Sequence, residues 1–408
     1  MRFIFVDKEK IGVFEDGKTN FYESVYIQSY KENARRMQKS REWKKKSDIL
    51  LEEGYYFGSE GEPIHAKIQD ACLTAEENKI AYVCSVNDIS RICYKYLDDK
   101  EKAEVHLISS NEVDFLSFTI NTEGDIVGAI RTAEETADLA LYSRDGGDYK
   151  LITSGDSLDE NPFIDQDGKI LFNSYGVGRD AYNEFVAYAP SEIFKYNLQT
   201  MDIQTILSDP KYSFVKPMTD KEGNLYCIRK PGAEKKRENI FLQILLIPVR
   251  IIEAIIGFFS VFVSVFAGKP MVSGSNVGGA KQSKKDRREV FIHNQLVNVD
   301  KEIKRNKKSQ DGGCIPKEWK LLKFAPKKED FENGYELVEE LASGVADFCF
   351  AEENGEDVLL YTNGQKIFAL SQKDGKKVKT KLVHTDFCLK VSALYGGTGD
   401  DPFSDLWE

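Results

Sequence analysis

The sequence predicts an all-β protein: a β-propeller made of a repeated four-stranded unit, with a hydrophobic helical insert within one blade. Three observations predict this fold. A short turn phrase recurs along the chain, an apolar strand follows each copy, and the spacing is near 45 residues, which is typical of a propeller blade. The 19 Tyr and 25 Phe fit pleated, half-buried sheet surfaces.

Each turn phrase joins an acidic residue or an amide to Gly or Asn and then leads into an aliphatic strand. An acid–Gly or Asn–Gly pair supplies the positive φ that a tight hairpin turn requires. The five phrases are Glu77–Ile80, Glu123–Ile126, Asp167–Ile170, Glu222–Leu225 and Asn354–Val358. A second strand pattern follows each phrase, so the chain reads as successive short antiparallel strands.

The spacing of these phrases locates the insert. The first four follow one another at intervals of roughly 45 to 55 residues, but the interval from Gly223 to Gly355 exceeds one repeat by about 87 residues. The surplus matches the stretch from Ala233 to Pro316, which lacks the strand pattern. We expect six blades, with seven as the alternative, and we expect the C-terminal strand FCLKVSAL to pair with the N-terminal strands and close the ring.

The domain organisation follows from these positions. Residues 1–232 form the first part of the propeller, with a helical excursion at about 23–46, where Tyr26, Tyr30, Met37 and Trp43 could form an apolar stripe. Residues 233–316 are the hydrophobic and basic insert, 317–395 close the propeller, and 396–408 form a flexible acidic and aromatic tail.

One blade carries a family resemblance. The stretch NPFIDQDGKILFNSY followed by EIFKYNLQTMDIQTIL resembles the repeat of TolB-like and WD40-like β-propellers, in which a Pro-Phe pair and a turn precede an aliphatic strand and a tyrosine-containing strand. The resemblance extends over about residues 71 to 394. It implies the fold and, for most relatives, a binding role, but it implies no substrate.

The insert contains the apolar segment 240–267. Its 28 residues exceed the about 20 that a spanning helix needs, but Pro248, Arg250 and Glu253 interrupt its middle, where charges are costly. Both flanks are basic and both return to the same blade, so a single crossing would divide one closed ring between two sides of a bilayer. We expect a peripheral or re-entrant (monotopic) association from the cytoplasmic side. Helices buried against the propeller, or binding to a protein, are the alternatives.

The membrane hypothesis assigns two sets of residues. The apolar contacts with lipid are predicted to be Ile244, Leu245, Ile251, Ile252, Ile255, Ile256, Phe258, Phe259, Phe262 and Phe266. The contacts with lipid headgroups are predicted to be Lys235, Lys236, Arg237, Lys269, Lys284, Lys285, Arg287 and Arg288. A solvated loop is the alternative interpretation of the basic part.

The tail is predicted to dock on an unidentified protein partner through Phe403, Leu406 and Trp407, or else to fold back on its own propeller. The formal net charge of −11 argues against nucleic-acid binding. The seven cysteines contain no CxxC pair, and MRFIFVDKEK lacks the pattern of a signal peptide, so we expect buried free thiols in a cytoplasmic protein.

Catalytic motifs are missing from the sequence. It contains no GxSxG, HExxH or phosphate-loop motif and no zinc spacing, so we predict no catalytic, cofactor or metal site and no cofactor. The leading hypothesis is a non-enzymatic, membrane-associated scaffold with a protein-interaction surface. The alternative is a propeller enzyme, a hydrolase or lyase with carboxylates at the channel mouth. A cluster of strongly perturbed ionisable groups at that mouth would favour the enzyme.

Overall fold

A computed structural model describes residues 1–46, 66–87, 89–98, 104–121, 124–143, 149–232, 288–309, 311–327, 334–373 and 376–395. The described residues up to 232 and from 290 onwards form one compact unit. This unit consists mostly of antiparallel strands, as predicted. The described part of the insert begins at Arg288.

The N-terminal half of the chain forms the first strands of the ring. It opens with β1 Arg2–Asp7, β2 Lys10–Glu15, β3 Lys18–Glu23 and helix α1 Val25–Lys46. It continues with β4 Ala66–Leu73, β5 Lys79–Val86, β6 Ile89–Tyr96, β7 Val105–Ser110, β8 Asp114–Ile120, β9 Ile126–Arg131, β10 Ala137–Tyr142 and β11 Tyr149–Leu151. The next strands are β12 Ser157–Ile164, β13 Ile170–Arg179, β14 Phe185–Tyr188, β15 Glu192–Asn197 and β16 Asp202–Leu207.

The C-terminal half contains the insertion point and the closing strands. It comprises β17 Tyr212–Thr219, β18 Leu225–Pro231, β19 Glu289–Ile292, β20 Gln295–Asn298, helix α2 Val299–Asn306, β21 Lys320–Pro326, β22 Tyr335–Ser343, β23 Asp347–Glu353, β24 Glu356–Thr362, β25 Gly364–Lys373 and β26 Lys376–Ser392. Strands β18 and β21 pair directly although the insert separates them in sequence, so the insert interrupts the chain without interrupting the sheet.

The described strands pair in four-stranded groups. The groups in chain order are β4 to β7, β8 to β11, β12-β13-β15-β16, β17-β18-β21-β22 and β23 to β26. The N-terminal strands form a further group in the order β26-β1-β2-β3, so β26 belongs to two groups. Up to Cys388 it pairs with β25, and its last residues pair with β1, from Asp7↔Cys388 to Ile4↔Ser392. The predicted pairing between the two ends of the chain is therefore present.

The first strands of the groups surround a channel. Strand β4 contacts β8, β8 contacts β12, β12 contacts β17, β17 contacts β23, and β23 contacts β26, which returns to β4. This closed circuit defines the propeller. We call the end at which these first strands begin the entrance end, and the end at which they finish the exit end.

Three exit-end turns share one hydrogen-bonded design. In the turn Asp165–Lys169, the Asp165 carboxylate accepts from the backbone N–H groups of Asp167 and Lys169, at 3.0 and 2.8 Å. Gly168 adopts a φ of 71°, a conformation that favours glycine. Asp220 with Gly223 repeats this arrangement, and at Asn121 with Gly124 one side-chain bond and the glycine recur. The phrases Glu123–Ile126, Asp167–Ile170 and Glu222–Leu225 were correctly identified as turns for this physical reason.

Helix α1, Val25–Lys46, lies in the stretch for which the sequence predicts a helical excursion. The Ser24 hydroxyl accepts from the Ile27 N–H at 3.2 Å, and Glu104 accepts from the first two N–H groups of the helix, so its N-terminus is capped. Tyr26, Ile27 and Tyr30 pack against the ring. Met37 is 64% exposed, so the predicted apolar stripe ends after the first turns, and the side chain of Trp43 lies outside the described residues.

The largest hydrophobic core lies where the insert returns. Trp319, Leu321 and Leu322 of the returning chain pack there beside Val345 and Phe348. All seven cysteines are free and buried, as predicted. Cys314, at 0% exposure, belongs to this same core.

Candidate functional site

A cavity of about 390 Å³ opens at the entrance end of the channel. The beginnings of β4 and β8, the middle of β12, the closing part of β26 and strand β19 surround it. Its polar lining consists of Lys8, Lys67, Gln69, Ser117, Glu160, Asn161, His293 and Lys390, and its apolar lining of Val6, Ile68, Leu116, Val290, Phe291, Ile292, Phe387 and Leu389. The size is typical of a small-molecule site.

The hairpin β19–β20 forms one wall of this cavity. His293 and Asn294 are its two turn residues, with φ of 45° and 56°, which is the geometry of a two-residue type I′ turn. Asn and His both adopt positive φ more often than most residues other than glycine. The turn therefore accommodates His293, and the contacts of its side chain and carbonyl oxygen fix its orientation.

Three hydrogen bonds hold His293 in the channel. Its Nε2 lies 2.7 Å from the Ala346 carbonyl oxygen and donates to it, and its own carbonyl oxygen accepts from Tyr175 Oη at 2.9 Å and from Lys230 Nζ. Burial, with Lys390 and Lys230 nearby, lowers the pKa of His293 to about 3. Burial also lowers the pKa of Lys230 to about 7, against the effect of Glu160, which raises it.

Two ion pairs join neighbouring first strands inside the channel. Lys216 of β17 lies 3.5 Å from Asp347 of β23, and Lys390 of β26 lies 3.9 Å from Asp70 of β4. Burial raises the pKa of Asp70 although Lys390 lowers it. Each pair neutralises its own buried charges across a strand boundary and so fixes the relative position of two blades.

Irregular backbone presents these side chains to the channel. The pairing register shifts in β4, β8, β12 and β17, next to the polar residues of each strand. Asn161 and Lys216 have φ of 52° and 54°, an uncommon conformation for residues other than glycine. The Asn161 side chain donates to Asn173 Oδ1 at 2.9 Å and accepts from Lys390 Nζ at 3.3 Å.

Two residues of the lining, Gln69 and Glu160, carry acceptor oxygens without donors in the described structure. Gln69 donates through Nε2 to Asp114, at 2.9 Å, but its buried Oε1 has no hydrogen-bond partner in the described structure. The Glu160 carboxylate likewise has neither hydrogen bond nor ion pair with any residue that the structure describes. Burial raises its pKa, although Lys390, Lys230 and Arg131 act to lower it.

The cysteines near the channel are not activated as nucleophiles. Burial raises the pKa of Cys72 to about 12 and raises the pKa of Cys349 well above its ordinary value. The nucleophilic form of cysteine is the thiolate, and these environments oppose its formation. His106, in β7, contacts Arg91 at 2.9 Å and packs on Tyr26, which is a structural role.

The predicted site residues and the channel do not coincide. Of the residues predicted to contact lipid, headgroups or a partner, only Arg288 lies within the described structure, where it is exposed and has an interaction partner. The remainder, from Lys235 to Arg287 and from Phe403 to Trp407, lie outside the described residues, so those assignments stay predictions. No helix in the described part of the chain is long and apolar enough to cross a membrane.

The channel residues were missed by the sequence reasoning, although a signal was available. Charged residues occur in the first strands of most groups: Asp70, Glu160, Lys216, Asp347 and Lys390. A charge buried in a strand requires a partner. The described residues contain no cluster of three or more His, Cys, Asp or Glu that could hold a metal ion.

Comparison with known proteins gives likeness at the level of the fold. TolB from Acinetobacter baumannii is 10% identical with a TM-score of 0.46; the match covers 96% of this chain but only 65% of that one. A protein from Lactobacillus plantarum is 10% identical with a TM-score of 0.42, over 96% of this chain and 98% of that one. An oligogalacturonate lyase in complex with manganese is 11% identical with a TM-score of 0.32; the match covers 55% of this chain and 59% of that one.

No family model and no curated protein matches the chain. By its own strand pairing the molecule is a β-propeller. It is similar to TolB-like propellers in fold alone.

Proposed function

We propose that this protein is a non-enzymatic propeller scaffold, held at the cytoplasmic face of a membrane by residues 240–267, that presents a protein-interaction surface. One observation carries the proposal: β18 pairs with β21 across the insert, so the ring is complete without the 28-residue apolar segment. A segment that the fold does not need, and that is too apolar for water, has its use in association.

The attachment points of the insert support an orientation. Pro231, the last residue of β18, pairs with Tyr212 at the start of β17, and the returning hairpin β19–β20 lines the entrance cavity. Both attachments therefore lie at the entrance end. Among the described residues, the acidic side chains exposed at the exit end include Glu76, Glu77, Asp167, Glu222, Glu352, Glu353 and Glu356. A partner with a basic surface fits such an end.

Vesicle flotation tests the membrane part of the proposal. The intact chain should float with vesicles containing phosphatidylserine, and a variant with 240–267 replaced by a Gly/Ser linker should stay in solution with an unchanged melting temperature. Replacing Ile255, Phe258, Phe259 and Phe262 by Asp should give the same release. The membrane association would be refuted if the intact chain is monodisperse without detergent and does not float with the vesicles.

Charge reversal tests the partner surface. The double variant Glu76→Lys/Glu77→Lys should lose a crosslinked partner that the wild type captures. Matched reversal of the entrance-end acid Glu112, which is also exposed, should retain it. Equal capture by both variants would exclude the exit end.

A second candidate, a hydrolase or lyase, is favoured by one feature. Glu160 and Lys230 have pKa values shifted towards each other in one channel, as acid–base pairs in active sites do. The Lys230 amine, however, donates to the His293 carbonyl oxygen and does not line the cavity. A turnover that Glu160→Gln abolishes without loss of fold would establish the enzyme and exclude the scaffold.

A further inference from the structure

The hairpin β19–β20 presents a pair of apolar side chains to solvent. Its two-residue turn places Phe291 directly opposite Leu296, so the two side chains lie next to each other on one face of the hairpin. Phe291 is 72% exposed and Leu296 is 51% exposed. On the other face, Ile292 and Val297 are buried and belong to the main core. The exposed pair therefore points away from the ring.

Helix α2 follows the hairpin directly and also has one buried and one exposed face. Val299, Glu302 and Asn306 are its buried residues. Asn306 Nδ2 donates to the carbonyl oxygens of Gly313 and Ile315, at 3.3 and 3.0 Å, and so holds this face against the returning chain. The opposite face of the helix is left to solvent.

Four exposed lysines lie on α2 and in the turn that follows it. They are Lys301, Lys304, Lys307 and Lys308. None of their ammonium groups has an ion pair or a hydrogen bond with any residue that the structure describes. The acids Glu302 and Glu318 do not compensate them, because both pair with Arg305, at 3.7 and 2.6 Å. We call these four lysines together with Phe291 and Leu296 the amphipathic patch.

A bilayer surface fits the amphipathic patch better than another polyanion does. Segments that lie in a membrane interface place Lys and Arg beside the headgroups and Phe and Leu at the acyl boundary. The phosphates of a nucleic acid would engage the lysines but leave Leu296 without a contact. The position in the chain agrees, since Arg288, a predicted headgroup contact, directly precedes β19.

We propose that the amphipathic patch is a second membrane contact, in which Phe291 and Leu296 enter the acyl boundary and the four lysines bind anionic headgroups. This contact rests on the proposed membrane association. The segment 240–267 attaches the chain, whereas the patch turns the entrance end towards the bilayer and adds a preference for anionic lipid.

Vesicle flotation of the full chain tests the charged part of the patch. Vesicles of phosphatidylcholine alone are compared with vesicles that also contain phosphatidylserine. Lys301→Gln/Lys304→Gln should weaken binding to the anionic vesicles about tenfold or more, because each basic residue near an anionic surface adds to the affinity. Binding to the neutral vesicles should not change. The matched control Lys18→Gln/Lys150→Gln removes two other exposed lysines and should bind like the wild type.

A fluorescent label tests the apolar part of the patch. All seven native cysteines are buried, so a single introduced cysteine can be labelled with an environment-sensitive fluorophore. A label at Leu296→Cys should brighten several-fold and shift to the blue when anionic vesicles are added. A label at Met201→Cys should not respond. Met201 is 71% exposed and follows β15, whose Tyr196 pairs with Ile170 at the exit end.

The outcomes separate this contact from the membrane association itself. A wild type that floats with neither kind of vesicle refutes the association and the contact together. A wild type that floats, with Lys301→Gln/Lys304→Gln binding equally well to anionic vesicles, refutes the contact alone and leaves the lysines as a solvated face. A label at Leu296→Cys that responds no more than the one at Met201→Cys also refutes the contact.

Discussion

Buried charges in the channel are individually costly and collectively matched. Asp347 has a side chain 1% exposed and faces Lys216 across two first strands at 3.5 Å. Its other carboxylate oxygen accepts from the Val391 N–H at 2.9 Å, so this one side chain links three strands. Removing one partner of such a pair leaves the other charge buried and uncompensated.

We therefore expect Asp347→Asn to lower the free energy of unfolding by about 3–5 kcal/mol. The matched control is Asp386→Asn, which breaks the pair with Lys8 at 2.6 Å. Both side chains there are more than half exposed, so water and salt screen the pair and the loss should be much smaller than for Asp347→Asn. Urea unfolding measures both variants. Equal losses would show that burial does not determine the strength of these pairs.

His293 gives the molecule a specific sensitivity to acid. Its pKa is about 3 in the folded chain and near 6.5 when unfolded, so the unfolded state binds a proton in between and the folded state does not. The stabilisation is complete above about pH 6.5 and is lost as the pH falls towards 3. Between pH 7 and pH 5 this amounts to about 2 kcal/mol.

Comparison of wild type and His293→Asn by urea unfolding at pH 7 and pH 5 checks this effect. Asn suits the positive φ of this position. The variant should lose the bond to Ala346, about 1 kcal/mol, at both pH values. It should also show about 2 kcal/mol less acid destabilisation than the wild type. The same pH dependence in both proteins would assign the acid sensitivity to other groups.

At the scale of elements, local signals and long-range packing were predictable to different degrees. The turns at Asp165 and Asp220 and helix α1 could be predicted, because their hydrogen bonds form between residues close in sequence. The hairpin β19–β20 and helix α2 lie in the stretch that we assigned to the insert. Their apolar residues occur among charged neighbours, so the sequence shows no regular hydrophobic period there. Which of these residues are buried is decided by packing against the core of the ring.

The hairpin therefore provides a test of packing. Ile292, at 5% exposure, lies in the main core, whereas its neighbour Phe291 is 72% exposed. Ile292→Ala should lower the free energy of unfolding by about 2–4 kcal/mol, and Phe291→Ala should change it by less than about 1 kcal/mol. Denaturant midpoints measure the difference. A negligible effect of Ile292→Ala would mean that the hairpin is detached from the ring in solution.

At the scale of the whole molecule, the closure of the ring could be predicted from the sequence, but the ion pairs in the channel could not. The closure of the ring followed from the apolar pattern of FCLKVSAL, since an unpaired strand at either end would leave an exposed edge. The channel cluster did not follow, because Asp70 and Lys390, or Lys216 and Asp347, come together only once the blades are arranged in a ring. Spacing along the chain carries no information on such pairs.

Ring closure has a direct consequence for truncation. Residues 388–392 are the inner strand beside β1, and Tyr395 beyond them donates to Asp357 at 2.9 Å and stacks on Phe350. A chain that ends at residue 387 should lose cooperative thermal unfolding, because β1 is left with an unpaired edge and Lys390 no longer reaches Asp70. A chain that ends at residue 399 keeps all these contacts and should melt within about 2 °C of the wild type.

Scanning calorimetry distinguishes the outcomes: a cooperative transition in the shorter chain would show that closure is dispensable. A drop of several degrees in the longer one would show instead that Phe403 and Trp407 pack on the propeller.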